Sequence, residues 1–132
     1  MSSHMQCERM TEHLRDRYGT EPEHLWAQYP TYSVFRHPLS KKWYVIIMDI
    51  PGSRLGLAGD KTITIMNVKC SPLMVGSLLT EPGFFPAYHM NKTSWISILL
   101  DGTVPDDKLF SLLELSYDAV APRYSRKPQP KN

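Results

Sequence analysis

Trp43-Tyr44-Val45-Ile46-Ile47-Met48-Asp49 is the stretch that decides the fold of this 132-residue chain. It predicts a strand, because aromatic and β-branched residues favour extended backbone, and the following Pro51-Gly52 pair predicts a turn. Residues 33–37 predict a shorter strand that ends at Pro38. Residues 62–68 predict a third, half-buried strand, because apolar and polar side chains alternate along it. Consecutive strands joined by short connections indicate an antiparallel sheet.

Helical patterns flank these strands on both sides. Residues 7–18 carry apolar side chains on one helical face, and Gly19 supplies the stop. Ser71-Pro72 predicts the start of a second helix, since serine is a good N-cap and proline is favoured at the first helical position. The buried face of that helix is expected to consist of Leu73, Met74, Leu78 and Leu79. Residues 106–121 predict a third helix, with acidic residues near its N-terminus that suit the helix dipole.

Between the second and third helices lies Gly83-Phe84-Phe85-Pro86-Ala87-Tyr88-His89-Met90-Asn91-Lys92-Thr93-Ser94-Trp95. We predict a β-hairpin here, with Asn91-Lys92 at its tip and residues 95–100 as its second strand. Trp95 is expected to point inward on the face opposite Ile96, because successive strand residues alternate between faces. The element order α-β-β-β-α-β-β-α indicates an α+β fold of two layers. Its antiparallel sheet of about five strands would carry helices on one face.

Length and composition place the chain among single-domain globular proteins. It is 42% apolar and 21% charged, and no apolar run approaches the roughly 18 residues of a membrane span. The polar N-terminus lacks a secretory signal, so we expect the cytoplasm. Ser3-His4-Met5 resembles a cloning scar. The predicted organisation is therefore a scar at 1–5, a domain at 6–121 and a basic flexible tail at 122–132.

Charge is distributed unevenly although the net formal charge is only +2. Residues 31–100 hold seven Lys or Arg against three Asp or Glu, and residues 119–132 hold four Lys or Arg and no acid. This is a milder basic character than the pI above about 9 that typifies a strongly basic nucleic-acid domain. Cys7 and Cys70 form no Cys-x-x-Cys pair and are expected to be reduced packing or surface thiols.

Several motifs together resemble the MmcQ/YjbR family. They are Val68-Lys69-Cys70-Ser71-Pro72, the run from Gly83 to Trp95, Leu100-Asp101-Gly102-Thr103-Val104-Pro105-Asp106 and Leu115-Ser116-Tyr117, with Tyr29-Pro30 and Val34-Phe35-Arg36-His37 upstream. The resemblance covers roughly residues 6–121. It implies a small cytoplasmic bacterial protein whose fold is similar to secretion chaperones and to the frataxin homologue CyaY. It also implies DNA binding through a double-wing arrangement.

Two classes of partner follow from the residues. For DNA, or for whatever partner the chain binds, the candidate contact residues are Arg36, His37, Lys41, Lys42, Lys69, His89, Asn91 and Lys92. Tyr88 and Trp95 could stack on unpaired bases. Lysines in turns also keep exposed sheet edges from pairing, which is the alternative explanation for Lys41 and Lys42.

A protein or peptide partner is the second class, because seven Met and fourteen aromatic residues can supply an adaptable apolar surface. An enzyme is not expected, since no catalytic triad order, phosphate-binding loop or metal-ligand pair is present. Glu8, Glu12 and Asp16 share one helical face, but Arg9 and Arg15 between them favour a solvated face over a metal site. We predict no catalytic residues, metal or cofactor.

Overall fold

A computed structural model describes residues 3–123 of the chain. Its elements are α1 (Ser3–Tyr18), β1 (Ser33–Arg36), β2 (Trp43–Pro51), β3 (Thr62–Lys69), α2 (Pro72–Leu78), β4 (Phe84–Pro86), β5 (Trp95–Leu99) and α3 (Asp106–Val120). This order confirms the predicted α+β fold. The first two residues of the predicted scar, and the predicted tail from residue 124 onward, lie outside the described residues.

The five strands form one antiparallel sheet in the order β1-β2-β3-β5-β4. Ile47 of β2 lies opposite Ser33 on one side and opposite Met66 on the other. β3 is the middle strand of the five, and residues 70–94, which include α2 and the edge strand β4, lie between β3 and β5 in the chain. None of the helices within residues 3–123 is both long enough and apolar enough to cross a bilayer.

The main core lies between the sheet and the helices α1 and α3. Met10 and Leu14 of α1, and Leu109 and Leu113 of α3, have no exposed surface. They pack against inward-facing residues of every strand of the sheet, and the buried sheet residues of this core are Phe35, Tyr44, Val45, Ile47, Met66, Val68, Phe84, Ile96 and Ile98. Burying a side chain of this size stabilises the fold by roughly 1.5–3 kcal/mol, so this layer holds the helices on one face as predicted.

Buried hydrogen bonds fix both ends of α3. At its start, the side-chain amide of Gln6 donates to the Val104 carbonyl oxygen at 2.9 Å and its oxygen accepts from the Gly102 N–H at 3.0 Å. Near its end, the Ser116 hydroxyl donates to the Tyr44 carbonyl at 2.6 Å and accepts from the Lys69 N–H at 2.9 Å. The C-terminal end of α3 therefore lies where β2 begins and β3 ends.

The face of the sheet opposite the helices, here called the open face, has its own buried apolar cluster. Its buried members are Val34, Ile46, Met48, Ile50, Ile65, Ala87 and Trp95. Side chains from three connecting segments, 20–32, 51–61 and 87–94, pack against this cluster. Trp95 is 7% exposed on the open face while Ile96 is buried under the helices, which confirms the predicted orientation of both.

The predicted β-hairpin is confirmed, but its tip is longer than the pair Asn91-Lys92. β4 and β5 pair only from Phe84 opposite Ile98 to Pro86 opposite Ile96, and an eight-residue loop, 87–94, joins them. Pairing stops because the next polar contact is made by a side chain: the Tyr88 N–H donates to the Ser97 hydroxyl at 2.9 Å.

The expectation for the buried face of α2 is confirmed in part. Leu78 is buried and Met74 packs against the core, but Leu73 is 90% exposed and Leu79 is exposed as well, while Val75 is buried. The helix has only seven residues, and its buried residues, Val75 and Leu78, lie after its first turn. Ser71 does cap it as predicted, since its side chain accepts from the Leu73 N–H at 3.2 Å.

Candidate functional site

The open face carries a cavity of about 520 Å³, here called the large cavity. Ile46 and Met48 of β2 form its floor, and the three connecting segments of the open face form its walls. Five aromatic rings line it, and they belong to Trp26, Tyr29, Tyr32, Trp43 and Tyr88. A concave site of this size with mainly aromatic walls is the usual form of a small-molecule pocket.

Ring contacts hold one wall of the large cavity in place. Tyr29 and Tyr32 stack with their centroids 4.7 Å apart, and Trp26 stands edge-on to Trp43 at 5.8 Å. The segment 20–32 is fastened to the sheet through Glu23, whose backbone exchanges two 2.9 Å hydrogen bonds with Val34. The wall therefore has a fixed geometry.

The opposite wall depends on a buried polar pair in the middle of the sheet. Asn67 of β3 and Ser97 of β5 lie side by side and have no exposed surface. The Asn67 side-chain amide donates to the Tyr88 carbonyl at 2.9 Å, and the Ser97 hydroxyl donates to the Asn67 oxygen at 2.5 Å. With the Tyr88 N–H bound to Ser97, both backbone groups of Tyr88 are held against the sheet.

Arg54 is the cationic residue at the rim of the large cavity. It lies in the short 3₁₀ turn Gly52–Leu55 and is exposed. The turn is closed by the Gly52 N–H, which donates to the Lys61 carbonyl at 2.9 Å. Burial raises the pKa of the Tyr32 hydroxyl, and the nearby charge of Arg54 opposes that rise. Arg54 and Tyr32 line the same cavity.

The structure brings three predicted contact residues near this cavity. His89 lines the large cavity and has a left-handed backbone (φ 58°). Lys92 lines a smaller cavity of about 170 Å³, which shares Arg54 and Tyr88 with the large one. Asn91 is exposed, and its side-chain oxygen accepts from the Thr93 N–H at 2.8 Å, so it shapes the loop.

Four other predicted contact residues lie at one end of the sheet. Arg36 ends β1, where it pairs with Glu23 at 2.9 Å and lies over the Trp43 ring at 5.8 Å. Lys41 and Lys42 are exposed in the turn from β1 to β2, and Lys69 is half-buried at the end of β3. The antiparallel register brings the end of β1, the start of β2 and the end of β3 together. Among these four residues, Arg36 is the one whose charge is partly balanced, by Glu23.

His37 departs from its predicted role as a contact residue, because it is only 2% exposed. Its Nδ1 accepts from the N–H groups of Leu39 at 3.1 Å and Ser40 at 3.3 Å, and its ring lies 4.3 Å from that of Tyr117. Burial lowers the pKa of His37, while Asp118 opposes that shift. The side chain builds the β1–β2 turn and is closed to a partner.

This environment predicts a pH dependence of stability. Since the folded state lowers the pKa of His37 below its ordinary value of about 6.5, the unfolded state binds the proton more readily. Neutral His37 therefore contributes fully to the free energy of unfolding above about pH 6.5, and this contribution is lost as the pH falls below that value toward the lower pKa of the folded state. The variant His37→Asn keeps a hydrogen-bond acceptor at this position but has no titrating side chain. Between about pH 7.5 and 5, the free energy of unfolding of this variant should therefore fall less than that of the unmodified protein. Urea unfolding at several pH values measures this difference, and equal slopes would contradict it.

The residues that build the cavity were largely outside the sequence-based candidates. Trp26, Tyr32 and Trp43 resemble ordinary core aromatics in sequence, and Arg54 lies in a glycine-rich loop without a recognisable motif. Asn67 gave a detectable signal, since it is a polar residue within an apolar strand. Tyr117 lies on the helix side of the sheet, where it stacks with Tyr18 at 4.4 Å. Within residues 3–123, no group of three or more His, Cys, Asp or Glu side chains could hold a metal ion.

Comparison with known proteins places the chain in a family. The profile described as YjbR matches residues 15–119. The chain belongs to the YjbR family. The uncharacterised protein YyaQ of Bacillus subtilis is 41% identical over 106 residues, which cover 80% of this chain and 90% of that protein. The uncharacterised protein YjbR of Escherichia coli K12 is 41% identical over 32 residues, covering 24% of this chain and 27% of that protein.

Solved structures share the fold of this chain. A crystal structure of a Pseudomonas syringae protein superposes with a TM-score of 0.84 at 40% identity, covering 86% of this chain and 97% of that one. A solution NMR structure from the same organism gives 0.81 at 37% identity, covering 93% and 98%. A Deinococcus radiodurans crystal structure gives 0.63 at 24% identity, covering 88% and 81%, and shows the fold alone.

Proposed function

We propose that this YjbR-family protein is a cytoplasmic, non-enzymatic DNA-binding protein that contacts DNA phosphates through one end of its sheet. That end, here called the basic end, contains Lys41, Lys42, Lys69, Lys92 and Arg123. Lys41 and Lys42 lie in the β1–β2 turn, and Lys69 ends β3. The observation that supports the proposal is that the antiparallel register gathers cations from separate segments at one place.

Backbone hydrogen bonds indicate the position of the two remaining members of the basic end, Lys92 and Arg123. Lys92 belongs to the loop before β5, and the Cys70 N–H donates to the Ser94 carbonyl at 2.9 Å, so this loop lies beside the end of β3. Arg123 follows the C-terminal end of α3, which Ser116 ties to the same end of β3. The sequence after Arg123 adds three more basic residues and no acid.

The charge of the basic end is available for phosphate contacts. Within residues 3–123, no carboxylate forms an ion pair with Lys41, Lys42, Lys69 or Lys92 at 4.0 Å or less. Two of the four acidic residues of α3, Asp106 and Asp107, occupy its first turn at the other end, whereas Asp118 lies close to His37 near the basic end. Lysines without a carboxylate partner attract a polyanion.

Fluorescence anisotropy with a labelled duplex and its single strand, between about 50 and 200 mM salt, tests this proposal. Replacing both Lys41 and Lys42 with Ala should weaken binding to all sequences alike and make the slope of log K against log salt shallower by about 2 on duplex DNA. Lys108→Ala is the control, because Lys108 lies in α3 and pairs with Glu81 at 3.6 Å. Absence of salt-dependent binding at micromolar protein, or an equal effect of Lys108→Ala, would overturn the proposal.

The alternative prediction, a protein or peptide partner, has less support. A peptide that extends the sheet needs a free edge strand, but β4 has three residues and ends at Pro86, and β1 has four. The exposed Leu residues also lie on separate segments: Leu25 before β1, Leu39 in the β1–β2 turn, Leu73 and Leu79 at the two ends of α2, and Leu115 on α3. Single exposed apolar residues do not form the contiguous patch that marks a protein interface.

A further inference from the structure

We propose that the large cavity binds a small ligand that combines a flat aromatic ring with an anionic group. Of the basic end, Lys41, Lys42, Lys69 and Arg123 do not line this site, whereas Lys92 lines the smaller cavity that shares Arg54 and Tyr88 with it. Its volume of about 520 Å³ falls inside the range of roughly 300–1,000 Å³ that small-molecule sites occupy.

The walls are suited to a planar ring. Tyr32 and Trp43 line the cavity on the side of β1, and Tyr88 and His89 line it on the side of β5. Flat π-systems bind between aromatic side chains by offset or edge-to-face contacts. Because ring contacts hold the first wall and the Asn67–Ser97 pair holds the backbone of Tyr88 in the second, the site is formed before the ligand arrives, which limits the entropy lost on binding.

The charge at the rim selects an anionic substituent. None of the residues that line the cavity is Asp or Glu. Arg54 is exposed at the rim, and no carboxylate of residues 3–123 forms an ion pair with it at 4.0 Å or less. A guanidinium group binds carboxylate and phosphate oxygens with two parallel hydrogen bonds. Arg54 therefore supplies the anion contact beside the aromatic walls.

Two kinds of compound share this chemistry, namely nucleoside monophosphates and aromatic carboxylates. Isothermal titration calorimetry with adenosine 5′-monophosphate and with indole-3-acetate distinguishes them. Adenosine, indole and inorganic phosphate serve as matched probes that lack either the charge or the ring. We expect one of the two charged aromatic compounds to bind at least about 10-fold more tightly than its matched probes, because a charged hydrogen bond and a stacked ring both contribute.

Arg54→Gln tests the assignment of the anion contact. This variant should bind the charged aromatic compound about 10-fold or more weakly, and its affinity for the neutral aromatic probe should be unchanged. Lys61→Gln is the control, because Lys61 is an exposed cation near the same turn that does not line the cavity. Since Arg54 is exposed, circular dichroism should report an unchanged fold.

Three outcomes would overturn the inference: no binding of either charged compound at millimolar concentration, equal binding by inorganic phosphate, or unchanged binding in Arg54→Gln. The inference is also separable from DNA binding. A variant with Ala at both Lys41 and Lys42 should retain the small ligand while its affinity for DNA falls, because neither lysine lines the cavity. Loss of the small ligand in that variant would place its site at the basic end and would also overturn the inference.

Discussion

Asn67→Ala is expected to lower the free energy of unfolding by about 3 kcal/mol, since two buried hydrogen bonds lose their partner. Asn67 is fully buried in the middle of the sheet and joins Ser97 to the Tyr88 carbonyl. Removing its side chain leaves the Ser97 hydroxyl and the Tyr88 carbonyl without that partner, and each unsatisfied buried group costs about 1–3 kcal/mol. Urea unfolding measures the change.

Asn91→Ala is the matched control for this prediction. Asn91 is in the same loop as Tyr88, but it is exposed and its side chain accepts one hydrogen bond, from the Thr93 N–H. Its replacement should cost about 1 kcal/mol or less, because water can take over the contact. Equal losses in the two variants would show that the Asn67 pair does not hold the loop.

A double-mutant cycle extends the test to the cavity. Ser97→Ala disturbs the same network, so the combined variant should lose less stability than the sum of the single variants. Asn67→Ala should also weaken any ligand of the large cavity, since Tyr88 lines that cavity and is positioned by this network. Additive losses would indicate that the two side chains act independently.

The second large effect is expected at the glycine that enters β4. Gly83→Ala should lower the free energy of unfolding by about 3 kcal/mol through backbone strain and a steric clash. Gly83 has φ +89°, and an added Cβ would lie 2.7 Å from Val104 Cγ2. Val104 is 2% exposed and packs in the core, so it has little freedom to move away.

Gly102→Ala separates the two causes. Gly102 also has φ +89°, but an added Cβ would meet no atom within 4 Å. This variant should cost only the strain of a left-handed alanine, about 1 kcal/mol. Thermal or urea unfolding of both variants provides the comparison, and a loss in Gly83→Ala no greater than in Gly102→Ala would exclude the clash with Val104.

Local sequence patterns were sufficient for the elements but insufficient for the loops between them. The strand around Ile46 and the helix around Leu109 follow from side-chain spacing, which depends only on neighbours along the chain. The length of the 87–94 loop does not follow from the pair Asn91-Lys92 at its tip, because the loop is held by Asn67 of β3 and Ser97 of β5. His37 was misjudged for the same reason, since Tyr117 of α3 packs against it.

The sequence by itself determined the α+β class, the element order, the family and the presence of basic residues in the middle of the chain. Only the tertiary structure decided which of those residues act together. The sheet order β1-β2-β3-β5-β4 brings segments from residues 20–32, 51–61 and 87–94 onto one face, where they enclose the large cavity around Arg54 and Tyr88. Contacts between segments so distant in sequence leave no periodic signal, because they arise from sheet topology and not from local spacing.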